Sequence, residues 1–169
     1  MSKLCDDFTI LRVGSVFLTS ILGRFQEVQK DWFQADRTCQ EHDSYLVEID
    51  SSEENTAIVE EIQKRIGVGR LGSMVPHAWL GLTQLQVANN WTLMSSWDQG
   101  RVGQAPSFVN WGGLPPSHPN CATMKTSNGL WGAADCHMDD MNFVTICERS
   151  EPVKATRNEG VCATISASS

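Results

Sequence analysis

The residues of this 169-residue chain with the most reactive side chains are six cysteines and four histidines. Cys5, Cys39, Cys121, Cys136, Cys147 and Cys162 are even in number, widely spaced and never arranged as a Cys-x-x-Cys pair. A zinc site would draw on His118, Cys121, Cys136, His137 and Cys147. Structural zinc takes its ligands in tight pairs about two to four residues apart, and only His118 and Cys121 have that spacing. Disulfides formed in an oxidising compartment are the better account. Counting alone does not pair them, because six cysteines allow about fifteen connectivities. Nucleophilic catalysis finds no support. Cys136 and His137 are adjacent, which does not place them for proton transfer, His42, His77, His118 and His137 are scattered, and no serine sits in a nucleophile elbow. The chain therefore reads as a non-enzyme with no cofactor. Asn90-Trp91-Thr92 is an N-glycosylation sequon, which makes Asn90 a candidate modification site compatible with secretion.

These residues need elements to position them. Val28, Trp32, Ala35 and Cys39 recur at helical steps and share one face, with Asp31 able to cap a start before Trp32. A second helix opens at Ser51 with Glu54 at the capping-box spacing, repeats Ile58, Ile62 and Ile66 on one face, and closes at Gly67. Tyr45–Ile49 lies between them as a short strand. Later strands are expected at Ala78–Leu82, Asn90–Leu93, Cys121–Met124, Leu130–Trp131 and Val144–Glu148. Helices early and antiparallel strands late make an α+β chain. Between the strands runs a long stretch, Met94 to Asn120, rich in Gly, Pro, Ser and Trp. Loops of this length are usually functional or disordered, and Trp97 and Trp111 give this one something to pack with. Each tryptophan reads either as a loop anchor or as a stacking platform for a sugar face or a protein.

Thirteen basic against twenty acidic residues give a net charge of −7, with no Lys/Arg run, which argues against nucleic-acid and polybasic membrane contacts. No apolar stretch is long enough to span a bilayer. The most apolar segment, Phe8 to Leu22, contains Arg12. It is preceded by Asp6 and Asp7 and followed by no small-residue cleavage site, so Thr9–Leu18 reads as a strand rather than a leader. Residues 150–169 carry few large apolar side chains and read as a flexible Ser/Thr/Ala-rich tail, tied down only through Cys162. The organisation expected is an amino-terminal segment over 1–12, one domain over 13–149 and the tail.

Cys39 on the first helix, Trp79-Leu80-Gly81-Leu82, Trp111 in a long loop, Cys121, Trp131 ahead of Cys136, and Ile146-Cys147-Glu148 together resemble a C-type lectin-like domain. The likeness extends over roughly Val13 to Arg149. It implies two helices packed on small antiparallel sheets with a long disulfide-clasped loop, the bridges being Cys39–Cys147 and Cys121–Cys136. Trp79, Leu82 and Trp131 then read as core. The amino-terminal cysteine pair of longer members is incomplete: Cys5 fits the first partner, but Val16-Phe17-Leu18 stands where the second would be. Cys5 and Cys162 are left open between bonding each other and linking two chains as a dimer.

Sugar-binding members of this family hold a calcium ion between the long loop and the strand after it. Calcium takes about six to eight oxygen ligands, with affinity following carboxylate count. Where the loop motif reads Glu-Pro-Asn or Gln-Pro-Asp, this chain has Pro115-Pro116-Ser117. Where the strand motif reads Trp-Asn-Asp it has Trp131-Gly132-Ala133, and the acidic residue near the loop cysteine is replaced within Pro119-Asn120. These positions offer no carboxylate, so the usual calcium site reads as lost and no metal ligand is assigned. Asp135, Asp139 and Asp140 read as solvated turn residues. The Pro115–Pro116 bond is expected to be cis, as the motif bond commonly is in the family. What remains for binding a glycan or protein is a mostly apolar loop surface, with Trp97, Trp111, Leu114, His118 and Asn120 as candidate contacts. The resemblance and the cysteines together place the chain outside the cell.

Overall fold

In a computed structural model, the structure describes residues 8–13, 16–21, 31–41, 44–67, 76–87, 89–94, 103–114, 120–139 and 143–149, the first two segments by their backbone. The elements are β1 (Phe8–Val13), β2 (Val16–Ile21), α1 (Trp32–Gln40), β3 (Tyr45–Leu46), α2 (Ser52–Gly67), β4 (His77–Val87), β5 (Asn90–Leu93), β6 (Cys121–Lys125), β7 (Trp131–Ala134), β8 (Phe143–Val144) and β9 (Cys147–Arg149). This is the α+β arrangement that the sequence predicts.

Both helices begin where their caps direct. Asp31 Oδ1 accepts from the Gln34 N–H at 2.8 Å, and the Gln34 side chain accepts from the Asp31 N–H, a reciprocal box. Ser51 Oγ accepts from the Glu54 N–H at 3.1 Å, while Glu54 reaches one residue further back than the usual box, to the Asp50 N–H at 2.9 Å. Trp32, Ala35 and Cys39 on α1, and Ile58 and Ile62 on α2, are buried, as their spacing requires.

The strands form two sheets. One runs β1-β2-β9-β3, all antiparallel; the other runs β5-β4-β6-β7, with β8 also on β4. Four expectations change here. The apolar run read as one strand over Thr9–Leu18 is a hairpin pairing Phe8–Val13 with Val16–Ile21, because Gly14-Ser15 interrupts it. Tyr45–Ile49 is a ladder strand only at Tyr45–Leu46. Beyond it the chain crosses between the sheets: the Val47 N–H donates to Ile146 O at 3.0 Å and Val47 O accepts from the Gly81 N–H at 2.8 Å. The Val144–Glu148 segment divides into β8 and β9 for the same reason, since β8 joins one sheet and β9 the other. Finally, β8 pairs β4 in parallel, not antiparallel.

The core has two parts. Ile58 and Ile62 pack with Leu80, Leu82, Met124 and Trp131 between α2 and the second sheet. Trp32, Cys39, Leu46 and Trp79 pack around both disulfides on the α1 side. Those bridges are Cys39–Cys147, with Cα atoms 5.4 Å apart, and Cys121–Cys136, at 5.1 Å. Two buried indoles find partners: Trp32 Nε1–H donates to Leu80 O and Trp131 Nε1–H to Asn55 Oδ1, both at 2.9 Å.

Candidate functional site

Trp111 begins the site. The segment Asn110–Gly112 lies along the free edge of β7: the Trp131 N–H donates to Asn110 O at 2.8 Å and the Gly112 N–H to Trp131 O at 2.9 Å. The Asn110 side chain ties the same segment to Gly129 O at 2.8 Å. The Trp111 ring then stands edge-on to Trp131, with centroids 5.8 Å apart, and tilted against Trp91 at 4.8 Å; Phe108 meets Trp131 from another side at 5.6 Å. Of the two roles left open for Trp111, the anchor is therefore made, and its half-buried ring still borders open space.

That space is a groove of about 390 Å³. One wall is the loop from Trp111 through Gly112 and Gly113 to Leu114, a residue that is 97% exposed. The floor is Thr123 on β6 with its register partner Gly132 on β7, and Ala133 also borders the groove. His77 and Lys125, register partners across β4 and β6, close the far end. Side chains at alternate strand positions share a face, which brings Thr123 and Lys125 to the same groove. Burial, then the neighbouring Lys125 ammonium, hold the His77 imidazole below its usual range.

Of the residues predicted to make contacts, Trp111 and Leu114 meet in this groove. Asn120 is placed at the start of β6, where its carbonyl accepts from the Gln84 N–H at 3.1 Å and from Thr83 Oγ1 at 3.3 Å. Trp97 and His118, like Pro115–Pro116 with its expected cis bond, Asp140, Cys5 and Cys162, lie outside the described residues. Asn90 is exposed at the head of β5; in its sequon Trp91 is half-buried and Thr92 Oγ1 donates to Thr83 O at 3.2 Å. Asp135 and Asp139 are exposed, and Asp135 Oδ1 accepts from the His137 N–H at 2.9 Å, a turn contact. His77, Thr123, Lys125 and Leu130 were not singled out as contacts by the sequence. Only the strand register juxtaposes them.

On β7, where the family resemblance expects an amide and a carboxylate toward calcium, Gly132 and Ala133 supply no side-chain oxygen. Added to Gly132, a Cβ would meet only Thr123 Oγ1, at 3.5 Å, so no other donor crowds that position. The donor set on this strand does not fit the ion. A second, shallower concavity of about 330 Å³ lies at the start of α1, where the His137 ring packs on Phe33 at 4.9 Å. Away from both, Glu48, Glu54 and Glu148 are buried together near the join of the two sheets, and the Glu48 N–H donates to Glu148 Oε2 at 3.0 Å.

Comparison with known proteins agrees with this geometry. The family model for the lectin C-type domain matches residues 28–149. A perlucin-like protein of Mytilus galloprovincialis is 28% identical over 122 residues, covering 68% of this chain and 69% of that protein. The lectin subunit alpha of Sarcophaga peregrina is 30% identical over 134 residues, 72% of this chain but 42% of that longer protein. Among solved structures, the mouse scavenger receptor C-type lectin carbohydrate-recognition domain superposes with a TM-score of 0.60 at 22% identity, covering 85% of this chain and 94% of that one. A calcium-independent type II antifreeze protein superposes at 0.58 and 18%, covering 83% and 90%. The fold and the relatives point to a binding domain rather than an enzyme. With two helices, small sheets, both expected bridges and a family match over most of its length, the chain belongs to the C-type lectin domain family.

Proposed function

We propose that this chain is an extracellular recognition module that binds a glycan or protein through its long loop without calcium. The observation that carries the reading is the groove beside Trp111, open and lined by Gly132 and Ala133, where a metal-dependent site needs oxygen donors. Uncompensated backbone carbonyls are poor replacements for the water stripped from a divalent cation. The calcium-independent description of one structural neighbour supports the same reading, since that protein keeps the fold. Extracellular placement is supported by two disulfides buried in the core, which form and persist in oxidising compartments. We assign the domain to 13–149 and the recognition surface to Trp97, Trp111, Leu114, His118 and Asn120 together with the groove. No catalysis is assigned, because the described residues of the groove include one histidine, His77, and no nucleophile partnered to it.

Thermal unfolding with millimolar calcium against chelator tests the metal part. A ligand bound by the native state alone raises the midpoint by mass action. The expected result is an unchanged midpoint, and a rise of several degrees with calcium refutes calcium independence. Glycan and protein arrays probed in chelator then test recognition itself.

A further inference from the structure

Glycines in the described residues divide into those the fold requires and those it does not. A Cβ on Gly81 would collide with the Leu46 carbonyl oxygen, and Gly129 has a φ of +73° with its Cβ position blocked by the Asn55 side chain. Gly113 and Gly132 are different. Neither lies at positive φ, nothing stands within 4 Å of a Cβ on Gly113, and one on Gly132 makes an ordinary 3.5 Å contact. A strand-interior glycine weakens its strand and commonly marks the close approach of a ligand or another backbone. No protein backbone approaches Gly132 within 4 Å of its Cβ position. The bare floor therefore keeps space open at a cost the fold itself does not impose.

The groove has a direction as well as a shape. Trp111, Leu130 and Leu114 make its loop end apolar, while Lys125 stands at the other end. In a chain of net charge −7, no carboxylate among the described residues lies within ion-pair reach of that ammonium. At Trp131 the edge of β7 is already taken by Asn110–Gly112. The groove volume sits at the small end of ligand sites of roughly 300–1,000 Å³, suiting a ring rather than a chain.

Resting on the recognition reading above, we infer that the groove binds an acidic saccharide. The apolar face of one ring lies on Gly132 beside Trp111, and the ring's carboxylate or sulfate reaches Lys125. The flat floor admits the ring, the Thr123 hydroxyl offers a polar contact along it, and the ammonium selects the anion.

Isothermal titration in chelator at pH 7.4, on the full chain, tests this with three probes: a hyaluronan tetrasaccharide, a sulfated heparin disaccharide and a neutral chitotetraose. The two acidic arms separate a carboxylate from a sulfate. At least one acidic probe is expected to bind tenfold or more tightly than the neutral one. Lys125→Ala should remove that preference, and added salt should weaken it. Gly132→Val should abolish binding; Gly113→Val serves the same purpose if Gly132→Val fails to fold. Equal binding of neutral and acidic probes, indifference to Lys125→Ala, equal competition by a poly-glutamate peptide, or no binding of either acidic probe overturns the inference. Neutral binding that Gly132→Val blocks overturns only the acidic class and leaves the recognition reading standing. Binding that survives both glycine variants removes the groove from both readings.

Discussion

Glu148, in β9, carries a proton into the pH range where carboxyls are normally ionised. Burial is the first cause, opposed by the hydrogen bond from the Glu48 N–H and reinforced by the charges of Glu54, Glu48 and Asp50; together these push its pKa from 4.5 up to about 8. Burial raises Glu54 in the same direction. Between pH 4.5 and 8 the native chain holds a proton that the unfolded chain has released, so this contribution to stability is full below 4.5 and is lost as pH rises to 8. His77 works the other way: its lowered pKa contributes stability above 6.5 that is lost as pH falls through the folded value. Urea denaturation from pH 7.5 to 8.5, where the His77 contribution is nearly complete, reads mainly the carboxyl. The midpoint is expected to fall across that interval in the native sequence. In Glu148→Gln, which keeps the acceptor for Glu48 N–H, it should stay level, with a gain at pH 8.5 of at most about 5 kcal/mol. A parallel fall in the variant would assign the effect to another group.

At the scale of elements, the crossing of Leu46–Val47 over β4 governs how closely the two sheets approach. Gly81 permits it: its N–H donates to Val47 O at 2.8 Å, its carbonyl accepts from the Met94 N–H at 2.9 Å, and a side chain there would strike Leu46 O. Gly81→Ala is expected to cost about 2–3 kcal/mol by forced overpacking, whereas Gly113→Ala should stay within about 0.5 kcal/mol; urea midpoints of the two variants make the comparison. The sequence showed this element partially. Trp79-Leu80-Gly81-Leu82 was legible as a buried strand from its apolar run and its order relative to the cysteines. The reason for its glycine was not, because the oxygen it avoids lies 35 residues away in the chain. The helices were legible down to their caps, since capping and periodicity are local. The hairpin over Phe8–Ile21 was missed because β-branched and apolar residues on both sides of Gly14-Ser15 read as one run. The groove was half legible: Trp111, Leu114, Gly132 and Ala133 sit in recognisable motif positions, whereas Lys125 and His77 meet through register alone.

For the whole molecule, the two bridges differ in reach. Cys39–Cys147 closes 108 residues and Cys121–Cys136 only 15. In the chain-entropy model the long bridge contributes about 4–5 kcal/mol and the short one about 3. Replacing each pair with alanine should therefore lower the urea-derived stability more for Cys39/Cys147 than for Cys121/Cys136. The reverse order would mean that local packing under the loop outweighs chain closure. Both pairings follow the family resemblance, since spacing by itself left fifteen choices open. The long bridge also ends on β9, which lies between β2 and β3 and is hydrogen-bonded to both. Three residues made near the end of the domain thus complete a sheet begun at its front. A ribosome emitting this chain holds an open sheet and an unmatched thiol at Cys39 until residue 147 clears the exit, so a chaperone has to cover that edge before this moment and an oxidase can close the bridge only after it.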